Sequence, residues 1–186
     1  MACDAEDPTV FSHNSSSPFE RLFLTHYRGV VQVLCRLLGD RNLAEDLASE
    51  VFWKVYCRPE LLRGDGRLGG WLYRTAINLG IDSLRSDQRR RLYEREAGME
   101  AAGRQTGRDP LEELLAEERR ERVRKVLSRL KPRHAQILLL RSSGASYREL
   151  GEALRIKRGS VGTTLLRAEA EFEKRYRQLY AVREEL

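Results

Sequence analysis

The sequence predicts an all-α fold of two small helical domains joined by a flexible linker. Apolar residues recur at helical spacing in several separate segments, the signature of amphipathic helices. Ser17-Pro18-Phe19-Glu20 and Ser146-Tyr147-Arg148-Glu149 have the form of capping boxes, which fix helix starts by satisfying backbone N–H groups that have no partner within the helix. Between Leu92 and Pro110 the apolar period disappears and Gly98, Gly103 and Gly107 accumulate, so the boundary between the units falls there.

Residues 1–17, polar and poor in apolar side chains, form a flexible N-terminal tail. The first unit, 18–91, opens with a helix carrying Phe19, Leu22, Phe23, Tyr27, Val30, Val31, Leu34, Leu37 and Leu38, which Gly39 is placed to end. A second helix spans about Asn42 to Cys57, with Leu43, Ala44, Leu47, Ala48, Val51, Phe52 and Val55 on its apolar half. Its other half holds Glu45, Asp46, Ser49, Glu50 and Tyr56 around Trp53. A tryptophan amid carboxylates is either covered by another helix of the chain or anchors a protein interface. Arg58 to Gly70, with Pro59 and several glycines beside Arg63 and Arg67, reads as a loop.

The central helix, from Gly70 to beyond Arg85, is the most informative stretch. At about 100° per residue, Trp71, Arg74, Thr75, Asn78, Asp82, Arg85 and Arg89 share one narrow polar stripe. The rest of its circumference is largely apolar and requires neighbours, leaving the stripe to face water or a ligand. An aromatic plane, an amide and several guanidiniums are the groups that stack and hold an unpaired nucleic-acid strand. An ordinary core helix with a solvated edge is the plain alternative.

Residues 92–110 are the linker, and 111–186 the second unit. Its first helix is acidic early and basic late, as the helix dipole favours, with Leu111, Leu114, Leu115, Val123, Val126, Leu127 and Leu130 as core face. Three shorter elements follow: Arg133 to Ser142, Ser146 to Leu154, and a helix from about Gly159. Tight turns between them, with Ile137, Leu138, Leu150, Leu154, Ile156, Val161 and Leu165 as a shared core, describe a helix-turn-helix. Lys157, Arg158, Ser160, Thr163, Thr164 and Arg167 then stand where such a motif touches duplex DNA.

The totals are compatible with this. Lys and Arg number 34 against 28 Asp and Glu, a net charge of +6, which favours an anionic partner without naming it. No apolar run is long enough for a membrane span and no signal segment opens the chain, so a cytosolic location is expected. Cys3, Cys35 and Cys57 are widely spaced free thiols with no metal pattern beside His13, His26 and His134. No catalytic constellation, cofactor loop or metal spacing appears, so an enzyme is not expected.

Three segments together resemble a sigma factor of the extracytoplasmic-function (ECF) class, within the sigma-70 family. They are Leu38-Gly39-Asp40-Arg41 into Ala44-Glu45-Asp46-Leu47 and Glu50-Val51-Phe52; Trp71-Leu72-Tyr73-Arg74 through Asn78 to Asp82; and Leu130-Lys131-Pro132-Arg133 through Ser146-Tyr147-Arg148-Glu149-Leu150 to Ile156. The resemblance implies that residues 18–91 are sigma region two and 111–186 region four. It implies that Asp46, Glu50 and Trp53 dock on the clamp helices of the largest subunit of core RNA polymerase. Arg63, Arg67, Trp71, Arg74, Asn78, Arg85 and Arg89 would then recognise and melt the minus-ten element, with the Arg63 to Gly70 loop receiving a flipped base. Lys157, Arg158, Ser160, Thr163, Thr164 and Arg167 would read the minus-thirty-five element, and an anti-sigma factor is an expected partner. The usual phenylalanine before the central helix is Leu68, an arginine common before the asparagine is Ile77, and commonly basic positions of the last helix are Gly162 and Thr164. These departures imply fewer charges on the strand and weaker or altered upstream recognition. A helix-turn-helix regulator acting without polymerase is the competing reading, favoured if the Asp46 to Trp53 face is internal.

Overall fold

Ser17 sets the first helix. Its hydroxyl accepts from the Glu20 N–H at 3.1 Å, and Pro18 stands in the first turn, where its missing N–H costs nothing. Helix α1 spans Pro18–Leu38 and ends at Gly39, whose φ of 73° is left-handed. Asp40 follows at once, its carboxylate accepting from the Asn42 and Leu43 N–H groups at 3.0 and 3.2 Å, and so starts α2, Arg41–Tyr56.

The structure, a computed structural model, describes residues 17–63, 68–96 and 110–180. Cys3, His13, Arg67 and the glycines from Gly98 to Gly107 lie outside the described residues. Helix α3 spans Leu68–Glu96, α4 Pro110–Leu127, α5 Pro132–Ser142, α6 Tyr147–Leu154 and α7 Arg158–Tyr180. The described residues are all-α, and none of their helices is long and apolar enough to cross a membrane.

Two local expectations change. Where composition predicts an irregular loop, Pro59–Arg63 forms a short 3-10 turn, because Pro59 presets a helical φ and the Leu61 N–H reaches the Arg58 carbonyl at 3.0 Å. In α4 the apolar stripe is buried only late. Val126, Leu127 and the following Leu130 are buried, whereas Leu114 (66% exposed), Leu115 and Val123 are open. The described part of α7 reaches Arg122, whose guanidinium lies 5.4 Å from the Tyr180 ring; the turns before it extend past the shared core. The Leu111 side chain lies outside the described ones.

Helices α1, α2 and α3 form one three-helix layer, with Val30, Leu34, Leu37, Ala48, Val51, Val55, Leu72, Ile77 and Ile81 fully or almost fully buried. Gly80 makes this packing possible, since a Cβ there would stand 2.6 Å from Leu37 Cδ2 and 3.0 Å from Leu34 Cδ2. The helix-turn-helix of α5, α6 and α7 closes over Ile137, Leu150, Val161, Leu165 and Ala168. Its middle helix starts with a full capping box: Ser146 and Glu149 exchange side-chain and backbone hydrogen bonds in both directions. Buried side chains of the two layers belong to one continuous cluster, so α3 touches both.

Candidate nucleic-acid interface

Three patches hold the residues singled out by sequence. The first lies on α2. Asp46 and Glu50 are exposed, Glu50 paired with Lys54 at 2.7 Å. Trp53 is uncovered by any other described helix; it is 63% exposed and stacks on Tyr56 at 5.4 Å with planes 21° apart. Phe19, Phe23, Ser49, Phe52, Trp53 and Tyr56 line an open groove of about 410 Å³. Phe19 and Phe23 belong to α1, and their spacing marks them as core; only the crossing of α1 over α2 turns them toward the groove, Phe19 meeting Tyr56 edge-on at 5.5 Å. Tyr56 is one turn from Trp53 and was recognisable as a neighbour by that spacing.

The second patch is the stripe of α3. Leu72, Ala76, Ile77 and Ile81 face the core, as a largely apolar circumference requires, and Asn78, Asp82 and Arg89 are exposed. Trp71 is half-buried against the core cluster. The stripe, expected to face water or a ligand, is partly covered instead. Asn78 Oδ1 accepts from Gln136 Nε2 at 2.8 Å, and Arg85 Nε donates to the Ser128 carbonyl at 2.8 Å. The physical reason is that α5 and the end of α4 bring polar groups of matching geometry to this face. Arg74 is half-buried, and its Nη1 is buried without a hydrogen-bond partner among the described residues. Burial and the nearby Arg155 cation both lower its pKa from the ordinary guanidinium value. Arg63 is exposed at the end of the 3-10 turn.

The third patch is built by the helix-turn-helix. Arg155 closes α6 in a left-handed conformation, φ 54° and ψ 50°, and the Ile156 N–H returns to the Gly151 carbonyl at 3.0 Å. That turn delivers Lys157 and the start of α7 to the surface. Lys157, Ser160, Thr164 and Arg167 come together with Arg133, His134 and Ile156 around an open groove of about 390 Å³. Thr164 Oγ1 is spent on its own helix, donating to the Ser160 carbonyl at 2.7 Å. Arg158 and Thr163 are exposed beside the groove and do not line it. Arg133 and His134, at the start of α5, were not singled out by sequence, because only the packing of α5 on α7 brings them to the groove. The His134 Nδ1 is buried without a partner among the described residues. Three cations around one groove suit the phosphates of a duplex. Among the described residues no cluster of three or more His, Cys, Asp or Glu side chains is placed to hold a metal ion.

This chain is similar to RNA polymerase sigma factors. Residues 22–90 match the family described as Sigma-70 region 2. RNA polymerase sigma factor YlaC of Bacillus subtilis is 31% identical over 159 residues, covering 83% of this chain and 90% of that protein. ECF RNA polymerase sigma factor SigX of the same organism is 30% identical over 153 residues, covering 78% of this chain and 77% of the relative. Among solved structures, the sigma factor RpoE in complex with the anti-sigma factor NepR, from Bartonella quintana, aligns with a TM-score of 0.47 at 18% identity, over 84% of this chain and 95% of that one.

Proposed function

The chain belongs to the ECF class of RNA polymerase sigma factors, and on that premise we infer how its residues divide the work of promoter recognition. Asp46, Glu50 and Trp53 dock on the clamp helices of the largest subunit of core polymerase, and Tyr56, Phe19 and Phe23 complete that surface. Trp71, Arg74, Asn78, Arg85 and Arg89, with Arg63 and Arg67 before them, hold the unpaired strand of the minus-ten element. Lys157, Arg158, Ser160, Thr163, Thr164 and Arg167 contact the minus-thirty-five duplex, and Arg133 adds a phosphate contact at the same groove. Promoter opening is driven by binding energy alone, without catalysis, in the cytoplasm, and an anti-sigma factor is a further expected partner.

The observation that carries this division is the uncovered Trp53–Tyr56 plane beside Asp46 and Glu50. A regulator acting without polymerase has no use for a large aromatic surface rimmed by carboxylates on a helix outside the helix-turn-helix. Buried aromatic anchors ringed by polar groups are what protein interfaces use.

The test is transcription. Purified chain and purified core polymerase are given a pool of promoter-length duplexes, and abortive RNA products are sequenced. Products confined to a shared upstream motif are expected. Products with no promoter dependence would overturn the division of roles.

A further inference from the structure

The groove at the start of α7 holds one side chain that its assignment to duplex DNA leaves without a role. His134, half-buried on the first turn of α5, lines it together with Arg133, Lys157, Ser160, Thr164 and Arg167. Its Nδ1 is buried and has no hydrogen-bond partner among the described residues, whereas its Nε2 is not enclosed in this way.

A neutral imidazole carries its proton on one nitrogen or the other, and the surroundings of each decide which. A proton on Nδ1 would stand inside the protein without an acceptor, a costly arrangement for a buried donor. The proton therefore belongs on Nε2, the nitrogen left to the groove, where it makes a single uncharged donor. Thr164, on the same groove, has no such donor free: its hydroxyl donates to the Ser160 carbonyl at 2.7 Å. Arg133, Lys157 and Arg167 are exposed and supply charge. Lys131 stands at the cap of α5 with no side-chain hydrogen bond to the first turn, so the positive end of that helix is also open to an anion.

We propose that His134 is a phosphate contact: its Nε2–H donates to a backbone phosphate oxygen of the upstream duplex and fixes the register of α7 without adding charge. This rests on the assignment of the groove to duplex DNA made above. A phosphate is the acceptor that three cations around one groove favour over a base edge, and phosphate contacts set register while carrying no sequence information. Salt separates such a donor from a cation. Each phosphate neutralised by a cation releases counterions, so loss of one cation flattens the slope of log affinity against log salt by about 0.9. Loss of an uncharged donor shifts that line and leaves its slope.

Full-chain variants His134→Ala, His134→Gln and Arg133→Ala are compared with the parent chain by fluorescence anisotropy across a salt series. The probes are a fluorescein-labelled pool of random duplexes and the promoter duplexes recovered by transcription, at about pH 8, where an imidazole is ordinarily uncharged. His134→Ala is expected to bind both probes about 10-fold more weakly at every salt concentration, with the slope of the parent. Arg133→Ala should bind more weakly with a shallower slope, and His134→Gln, whose amide N–H can serve the same oxygen, should recover most of the loss. If His134→Ala loses helicity by circular dichroism, His134→Phe, which keeps a ring without a nitrogen, takes its place.

The contact is overturned by a folded variant without the nitrogen that binds like the parent, by one whose slope flattens as that of Arg133→Ala does, or by a glutamine variant as weak as the alanine one. A loss confined to the promoter duplexes overturns it too, since it would make His134 a reader of bases. A parent chain that binds no duplex also overturns it. In that case promoter-dependent transcription by the same chain with core polymerase leaves the sigma reading standing, and its absence removes both.

Discussion

Trp53 and Tyr56, one turn apart on α2, lie ring on ring at 5.4 Å, and both face solvent, at 63% and 58% exposure. A surface of that size is the kind of anchor whose loss costs an interface about 2 kcal/mol or more. Trp53→Ala is expected to weaken binding to core polymerase about 30-fold, read by competition against a labelled sigma factor. Its melting temperature should hardly move, as surface substitutions change stability by about 0.5 kcal/mol or less. A large fall in melting temperature with unchanged polymerase affinity would make Trp53 a cover for Phe19 instead.

Asp46 is exposed on the same face. Asp46→Arg should weaken polymerase binding and leave helicity intact, the effect shrinking as salt is raised because exposed charges are screened. Unfolding of this variant would show that the acidic face is structural.

Trp71 heads the strip on α3. Trp71→Ala should impair DNA opening, read by permanganate reactivity of unpaired thymines, about 10-fold more than binding to closed duplex, since base stacking is worth about 1 to 3 kcal/mol. Equal losses in both assays would contradict its place on the strip.

His26 is half-buried, edge-on to the Tyr73 ring at 6.0 Å and beside Gly69. Burial lowers its pKa from the ordinary 6.5. A base with a depressed folded pKa binds fewer protons folded than unfolded, so stability is full above the unfolded value and falls as pH drops through it. The carboxylates Glu117, Glu149 and Glu171 are shifted downward, Glu149 by its bonds to Ser146, so their contribution is lost only in more acid solution. The melting temperature is expected to drop between about pH 7.5 and about pH 5.5, and the drop should shrink in His26→Gln. An undiminished drop would assign it to other groups.

The helices are legible in the sequence because each carries both a period and a local stop or start. Gly39 takes the left-handed backbone that its place after α1 demands, and Ser146 with Glu149 forms the predicted box. The exposure of Leu114 is not legible, since a helical period says which side chains share a face and not how far a neighbour extends along it. Nor is the docking of α5 on α3. Gln136 sits in an apolar run, 58 residues from Asn78, and the donors that predict a ligand serve a neighbouring helix equally well. The same limit applies to the basic groove, where Lys157 and Arg167 were expected and Arg133 came from another helix.

Arg155 offers a stability test of the turn before α7. Its φ of 54° costs a residue with a Cβ roughly 1 kcal/mol. Arg155→Gly removes that cost and one cation facing Arg74, offset in part by the greater freedom of glycine in the unfolded chain. A melting temperature a few degrees higher is expected by calorimetry, and a lower one would show that the Arg155 side chain holds more than its backbone strains.

The bare backbone at Gly70 has a use in comparing relatives. Any chain with the same helices but a side chain at this place cannot nest its halves as this one does, because a main-chain atom already fills the space a methyl would need. The close approach of α3 to α6 in this chain thus rests on a single missing Cβ.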